Sequence, residues 1–206
     1  IKNNDNDGIW LLDSDSNTIS NNTIQNNGDD GIFLGWYLGG PIKYISNNTI
    51  QNNEGNGILL LDSNSNTISN NTILDNDDNG IYLGESNHNL IYLNNLINNN
   101  NVYSDNSTNF WNSTSEITYT YNDSQYTNYL GNYWDDYATR YPTVGNDGTV
   151  WDAPYEIPGG INVDNYPLVN PINTTGIVLP DVQVPSAPRN IQIINGGGYI
   201  KISWVY

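Results

Sequence analysis

Apolar residues in the first hundred positions fall in short alternating runs, G-I-x-L and N-T-I, separated by clusters of Asn, Asp, Ser and Gly. Alternation over three or four residues marks a short half-buried strand, and no run has the spacing of an amphipathic helix. The runs recur. DGIWLLDSDSNTISNNTIQNN starts at Asp7, DGIFLGWYLGGPIKYISNNTIQNN at Asp30, NGILLLDSNSNTISNNTILDN at Asn56 and NGIYLGESNHNLIYLNNLINN at Asn79. Gly8, Gly31, Gly57 and Gly80 are thus 23, 26 and 23 residues apart, and ISNNTI occurs verbatim at 19–24, 45–50 and 68–73. A fixed period of this length indicates a solenoid. Three short strands per coil, stacked in register, predict an all-β chain folded as a parallel β-helix over residues 1–100.

Stacking turns like positions into columns. Ile9, Ile32, Ile58 and Ile81, then Leu11, Leu34, Leu60 and Leu83, are expected to face inward. So are Ile19, Ile45, Ile68 and Ile91, and Ile24, Ile50, Ile73 and Leu96. The paired asparagines of ISNNTI, namely Asn21, Asn22, Asn47, Asn48, Asn70 and Asn71, fall at a corner. Asparagine tolerates unusual backbone angles there, and a stacked amide can bond to the coils above and below. The hexapeptide is therefore expected to be an asparagine ladder, part of the scaffold.

Composition narrows the chemistry. Asparagine supplies 40 of the 206 residues, while 22 Asp and Glu oppose 5 Lys and Arg for a net charge of −17. Such a field repels nucleic acid and anionic membranes and attracts divalent cations, calcium above all. With no Cys, no Met and a single histidine, His88, no copper, zinc or organic cofactor is expected. The chain opens in mid-pattern and has no apolar run suited to a signal peptide or a bilayer, so direct membrane insertion is not expected. It reads as a piece of a larger protein, or as a mature product whose open coil stacks on another subunit.

Residues 101–170 hold 14 of the 24 aromatic residues, enough to plug the open end of a solenoid, and are assigned as last coil and aromatic cap. The repeats resemble the right-handed parallel β-helix superfamily of carbohydrate-binding proteins and sugar hydrolases, in its NosD-like branch. YTYNDSQYTNYLGNYWDDY (119–137) and APYEIPGGINVDNYPLV (153–169) resemble the block that closes the β-helix in archaeal NosD-like surface proteins. There an acidic DGDGIGD-type run joins the two halves; here the segment is VGNDGTVWD (144–152), with fewer acids. After a linker at 171–184, PSAPRNIQIINGGGYIKISWVY (185–206) resembles the first two strands of a fibronectin type III domain, an incomplete β-sandwich.

Acidic turns precede each glycine, and calcium ligation competes there with simple solvation. The candidate ligands are Asp5, Asp7, Asp29, Asp30, Asp75 and Asp77, with Asp135, Asp136, Asp147 and Asp152 in the cap region. Asp75, Asp77 and Asn79 open like a calcium loop, but Ser86 stands where an EF-hand requires Glu. Coils lie about 4.8 Å apart, so Asp7 over Asp30 should repel unless a hard cation or solvent intervenes. Trp36 and Tyr37, in the long second repeat, could contact a glycan or a protein, or pack on the solenoid. Sequons begin at Asn106, Asn112, Asn122 and Asn173, and also at Asn21, Asn47 and Asn70, which the ladder is expected to occupy.

N-G-D-D-G at 27–31 is similar to the paired aspartates of polygalacturonases, but that family's second Asp motif, His-Gly and Arg-Ile-Lys are absent. The chain is accordingly expected not to be an enzyme. The expectation is an extracellular or cell-surface structural protein, a self-assembling scaffold for surface layer, sheath, fibre or adhesion; the resemblance implies the archaeal setting. Its partners would be itself, other surface proteins and glycans. The alternative is a calcium-dependent carbohydrate-binding module, and a polysaccharide hydrolase or lyase comes third.

Overall fold

The computed structural model describes residues 1–14, 16–35, 43–172 and 177–179, and the backbone of 189–196 and 199–205. Each 23-residue repeat folds as three short strands separated by corners, and each strand pairs in parallel with its equivalent in the next coil. The first sheet stacks β1 (Ile9–Leu12), β4 (Ile32–Gly35), β7 (Ile58–Leu61), β10 (Asn79–Gly84) and β13 (Asn100–Asp105). The second stacks β2 (Thr18–Ser20), β5 (Tyr44–Ser46), β8 (Thr67–Ser69) and β11 (Leu90–Tyr92). The third stacks β3 (Thr23–Gln25), β6 (Thr49–Gln51), β9 (Thr72–Leu74), β12 (Asn95–Ile97) and β16 (Tyr133–Trp134). The fold is the expected parallel β-solenoid, and the extra length of the second repeat falls between Gly35 and Tyr44.

Register keeps like with like. Ile9 pairs with Ile32, Ile32 with Ile58 and Ile58 with Ile81, and the fourth column runs Ile24, Ile50, Ile73, Leu96. From the second coil to the fourth these inward side chains are fully buried; Ile9 and Leu11 in the first coil are half-buried. Burying a Leu or Ile contributes about 1.5–3 kcal/mol, so a one-residue slip, which would turn every such side chain to water, is strongly disfavoured.

Left-handed corners make the turns. Asn21, Asn47 and Asn70 have φ of 58°, 57° and 56°; Asn26, Asn52 and Asp75 form a second row, and Asp13, Asp62 and Glu85 a third. Short Asn and Asp side chains reach this conformation at low cost because they bond locally. In the fourth coil the Asn70 position is taken by Leu93 (φ 58°), held there by burial in a second core cluster beneath the cap.

The cap enlarges the side chains that end the inner columns. Trp134 pairs beyond Leu96, and Phe110 bridges Leu90, which sets Trp111 beyond Ile91. Trp134 stacks on Tyr155 with centroids 4.1 Å apart, and Tyr137 stacks on Trp151 at 4.7 Å. Two antiparallel pairs complete it: β14 (Ile117–Tyr121) with β15 (Ser124–Asn128), and β17 (Tyr155–Glu156) with β18 (Val163–Asp164). One helical turn, α1 (Tyr137–Arg140), is the only helix among the described residues. A separate hairpin joins β19 (Arg189–Gly196) to β20 (Tyr199–Val205).

Candidate functional site

Three columns of buried amides run through the coils. In the first, Asn4, Asn27, Asn53 and Asn76 each donate N–H and Nδ2–H to the Oδ1 of the next coil's asparagine, ending at Asn98. The second runs Asn22, Asn48, Asn71, Asn94, Asn132 at 2.9–3.2 Å. The third starts from the Lys43 N–H and passes through Asn66, Asn89 and Asn109 to Asn162. Most of these amides also donate to main-chain carbonyls, as Asn71 Nδ2 does to Ile45 O and Asn94 Nδ2 to Ile68 O, both at 2.9 Å, so polar groups that would be stranded in the interior are satisfied.

The ladder residues of ISNNTI are thus Asn22, Asn48 and Asn71. Asn21, Asn47 and Asn70, expected to share the ladder, do not: their left-handed backbone turns the side chain out of the column, leaving Asn21 and Asn47 exposed. The sequon asparagines of the repeats are therefore corner residues. Asn106 and Asn122 are exposed as well, Asn122 at the tip of the β14–β15 hairpin, whereas Asn112 is half-buried and donates to Ser113 O. Asn173, Trp36 and Tyr37 lie outside the described residues.

All three columns point their donors toward the cap, so each needs an acceptor at that end. Asn98 N–H donates to Asn101 Oδ1, and Asn101 Nδ2 reaches Asp135 at 2.7 Å and Asp136 at 3.0 Å. Asn132 donates from its backbone N–H to Asp164 Oδ2 at 2.7 Å, and Asn162 donates to Ser107 O at 2.7 Å. Asp164 is completely buried; Trp134 Nε1 and the Tyr166 N–H complete its donors. Burial pushes its pKa up to about 7 against those N–H groups. Asp164 terminates a ladder, a role the sequence analysis did not assign. Its signal was a lone Asp in the closing block, which only the pairing of β17 with β18 brings under Asn132.

Asp135 and Asp136 are therefore engaged as acceptors, and burial raises the Asp135 pKa. Asp147 Oδ1 accepts from Thr149 N, Thr149 Oγ1 and Val150 N; these bonds outweigh burial and lower its pKa. Asp152 closes the same loop through its N–H to Gly145 O.

On the solenoid edge, acids are diluted down each column. Gly28 lies between Asp5 and Glu54, and Gly55 between Asp29 and Asp78. Asp5, Asp75 and Asp77 are exposed and do not converge. Asp7, Asp29 and Asp30 do, with ligand oxygens within 4.8 Å of one another, the one such group among the described residues. Asp7 and Asp30 do not simply repel: the Asp30 N–H donates to Asp7 Oδ1 at 3.0 Å, and Asp30 Oδ1 accepts from Asn56 N and Nδ2 at 2.7 and 2.9 Å. Burial, offset in part by those Asn56 bonds, raises the Asp30 pKa to about 6, with Asp29 and Asp7 adding to it.

The outer side of the first sheet carries a column that the sequence analysis did not single out. Trp10, Phe33, Leu59, Tyr82 and Tyr103 are register partners across its five strands. The first four are the x of each G-I-x-L, and Tyr103 holds the same place in N-V-Y-S; all are outward by strand alternation.

Fold and columns define a parallel β-solenoid braced by asparagine ladders and closed by an aromatic cap. The sequence model of the family described as periplasmic copper-binding protein (NosD) matches residues 1–139 of 206, and the chain belongs to that family. The family is periplasmic or extracellular, and so is this chain's setting. No curated protein and no solved structure matches the chain. No helix among the described residues is long and apolar enough to cross a membrane.

The residues do not fit the copper of the family's description. The chain has no Cys and no Met, and its one histidine, His88, sits exposed and apart at a left-handed corner (φ 58°). The converging oxygens of Asp7, Asp29 and Asp30 are hard donors, the kind that suit calcium or magnesium.

Proposed function

We propose that this chain is a non-catalytic structural scaffold outside the cell membrane, a short rigid rod that spaces or anchors surface components. The carrying observation is the three amide columns, which tie successive coils together and lock into the cap. Bending the rod would break several buried bonds at once, each expensive to leave unmade. Of the two carboxylates most like a catalytic pair, Asp29 and Asp30, the second is engaged structurally: Asp30 is 4% exposed and accepts two bonds from Asn56. Self-assembly into a surface layer, sheath or fibre of an archaeal cell, and a fibronectin-like character for the β19–β20 hairpin, belong to the same reading. Electron microscopy of natively purified protein, with calcium and after chelation, tests it. Ordered fibres, tubes or sheets are expected; monodisperse particles under both conditions would sink the assembly claim.

A second reading, a calcium-dependent carbohydrate-binding module, is favoured by the convergence of Asp7, Asp29 and Asp30.

A further inference from the structure

We propose that the outer face of the first sheet is a docking surface for a protein partner that offers apolar side chains flanked by Lys or Arg. Parallel sheets are ordinarily covered on both sides, and in this solenoid the inner side alone is filled by the core. The outer side is not polar. Trp10 is 62% exposed and Tyr103 40%, with Phe33, Leu59 and Tyr82 half-exposed between them in one unbroken column. Beside that column Leu12 is 49% and Leu61 38% exposed, alternating in register with Gly35 and Gly84. Trp10 meets Phe33 edge-on at 5.5 Å, and Tyr82 stacks on Tyr103 at 5.9 Å, so the column is a continuous apolar ridge. The outer positions of the third sheet carry Thr23, Thr49 and Thr72 in one column and Gln25, Gln51, Leu74 and Ile97 in the next, and the second sheet exposes Tyr44, between threonines, and Phe110, so only the first sheet has an apolar column unbroken through all its strands.

The rim identifies the partner's chemistry. The exposed carboxylates of Asp13, Asp62 and Glu85 follow the strands at one edge, where Asp105 ends β13 beside Gly84; Asp29 and Asp78 lie at the other. Among the described residues this sheet carries no Lys or Arg, and the one cation at its corners, Lys43, is buried. An apolar centre rich in Trp and Tyr inside a charged rim is the anatomy of a protein interface. Complementarity requires the opposite charge opposite each rim. A second copy of the same face would set carboxylate rows against each other, which argues against self-pairing here. The ridge also favours guanidinium and ammonium groups over its ring faces.

This surface goes beyond the scaffold reading and can fail independently of it, because binding is measured on protein molecules immobilised apart from one another. Immobilised protein would be titrated with a designed amphipathic peptide of Leu flanked by Arg, a Ser/Arg peptide of equal charge, a Leu/Glu peptide and a neutral oligosaccharide. The Leu/Arg peptide is expected to bind at least about tenfold more tightly than any other, and Trp10→Ser or Tyr82→Ser should weaken it about tenfold. Gln51→Ser on the third sheet should leave binding unchanged. Asp62→Asn with Glu85→Gln should flatten the salt dependence, and carries the test if either aromatic substitution lowers the melting temperature. Equal binding of the Ser/Arg peptide would overturn the proposal in favour of bulk charge attraction. Preferential oligosaccharide binding lost in Trp10→Ser would overturn it in favour of a glycan, and self-association through the ridge in favour of a second copy.

Discussion

Asn71→Ala probes the ladder at its centre, where coils continue on both sides. Asn71 Oδ1 accepts from Asn48 N and Nδ2, both at 3.0 Å; its Nδ2 donates to Asn94 Oδ1 at 3.0 Å, Ile45 O at 2.9 Å and Ser69 O at 3.1 Å. After truncation Asn48 Nδ2 still has Ile19 O, and Asn94 Oδ1 still accepts from the Asn71 N–H. The Asn48 N–H, by contrast, is stranded in a residue only 2% exposed. A stranded buried donor costs about 1–3 kcal/mol and the bonds of the two lost amide N–H groups about 0.5–1.5 each, so a total of about 2–6 kcal/mol is expected. Asn70→Ala, one residue away, removes only a corner preference, about 1 kcal/mol, and Asn70→Gly should cost nothing because glycine occupies that backbone region freely. Urea unfolding gives the totals, and native-state hydrogen exchange at Asn48 locates the damage, which matters because coils of a solenoid can open separately. A cost below about 1 kcal/mol for Asn71→Ala, or one no larger than that of Asn70→Ala, would refute the ladder as the coil-to-coil brace.

Two further outcomes are expected. The Asp164 pKa is raised from 3.8 to about 7 by burial, so the folded state holds its proton more firmly than the unfolded chain. Stability from this group is full below about pH 4 and is lost as pH rises toward 7, by up to about 4 kcal/mol. Asp30, raised to about 6, acts in the same direction. Melting temperatures at pH 5 and pH 8 check this: the wild type should melt higher at pH 5, and Asp164→Asn should show a smaller difference; an undiminished difference would clear Asp164 of the effect. Calcium, if held by Asp7, Asp29 and Asp30, should raise the melting temperature, with the gain abolished by chelation and by Asp29→Asn, while magnesium at the same concentration gives less. No calcium-dependent shift would leave Asp29 as a solvated turn and Asp30 as a structural acceptor for Asn56 alone.

Much of this protein was legible in its repeats. Columns such as Ile24, Ile50, Ile73, Leu96 could be written down from spacing alone, because a stacked coil can bury its apolar residues only if each lies over its equivalent. The sequence also determined that amides would recur at equivalent positions coil after coil, and that this chain carries no Cys or Met. It did not determine which asparagine of each pair is ladder and which is corner. Asn21 and Asn22 are chemically identical, and one peptide unit of backbone rotation decides the matter: the residue with φ of 58° turns the chain, and the next enters the column. Nor did it place Asp164 beneath Asn132, 32 residues earlier, since the closing block has no repeat from which to read a register. The acids show the same division. Ten aspartates were candidates by type, but Gly28 and Gly55 space the edge columns, and the loop and cap occupy Asp147, Asp135 and Asp136 with N–H donors. Only Asp7, Asp29 and Asp30 are left converging. Periodic interactions are written in the sequence because each repeat restates them; the single contacts that end the period exist only where the chain folds back on itself, and the tertiary structure alone decides them.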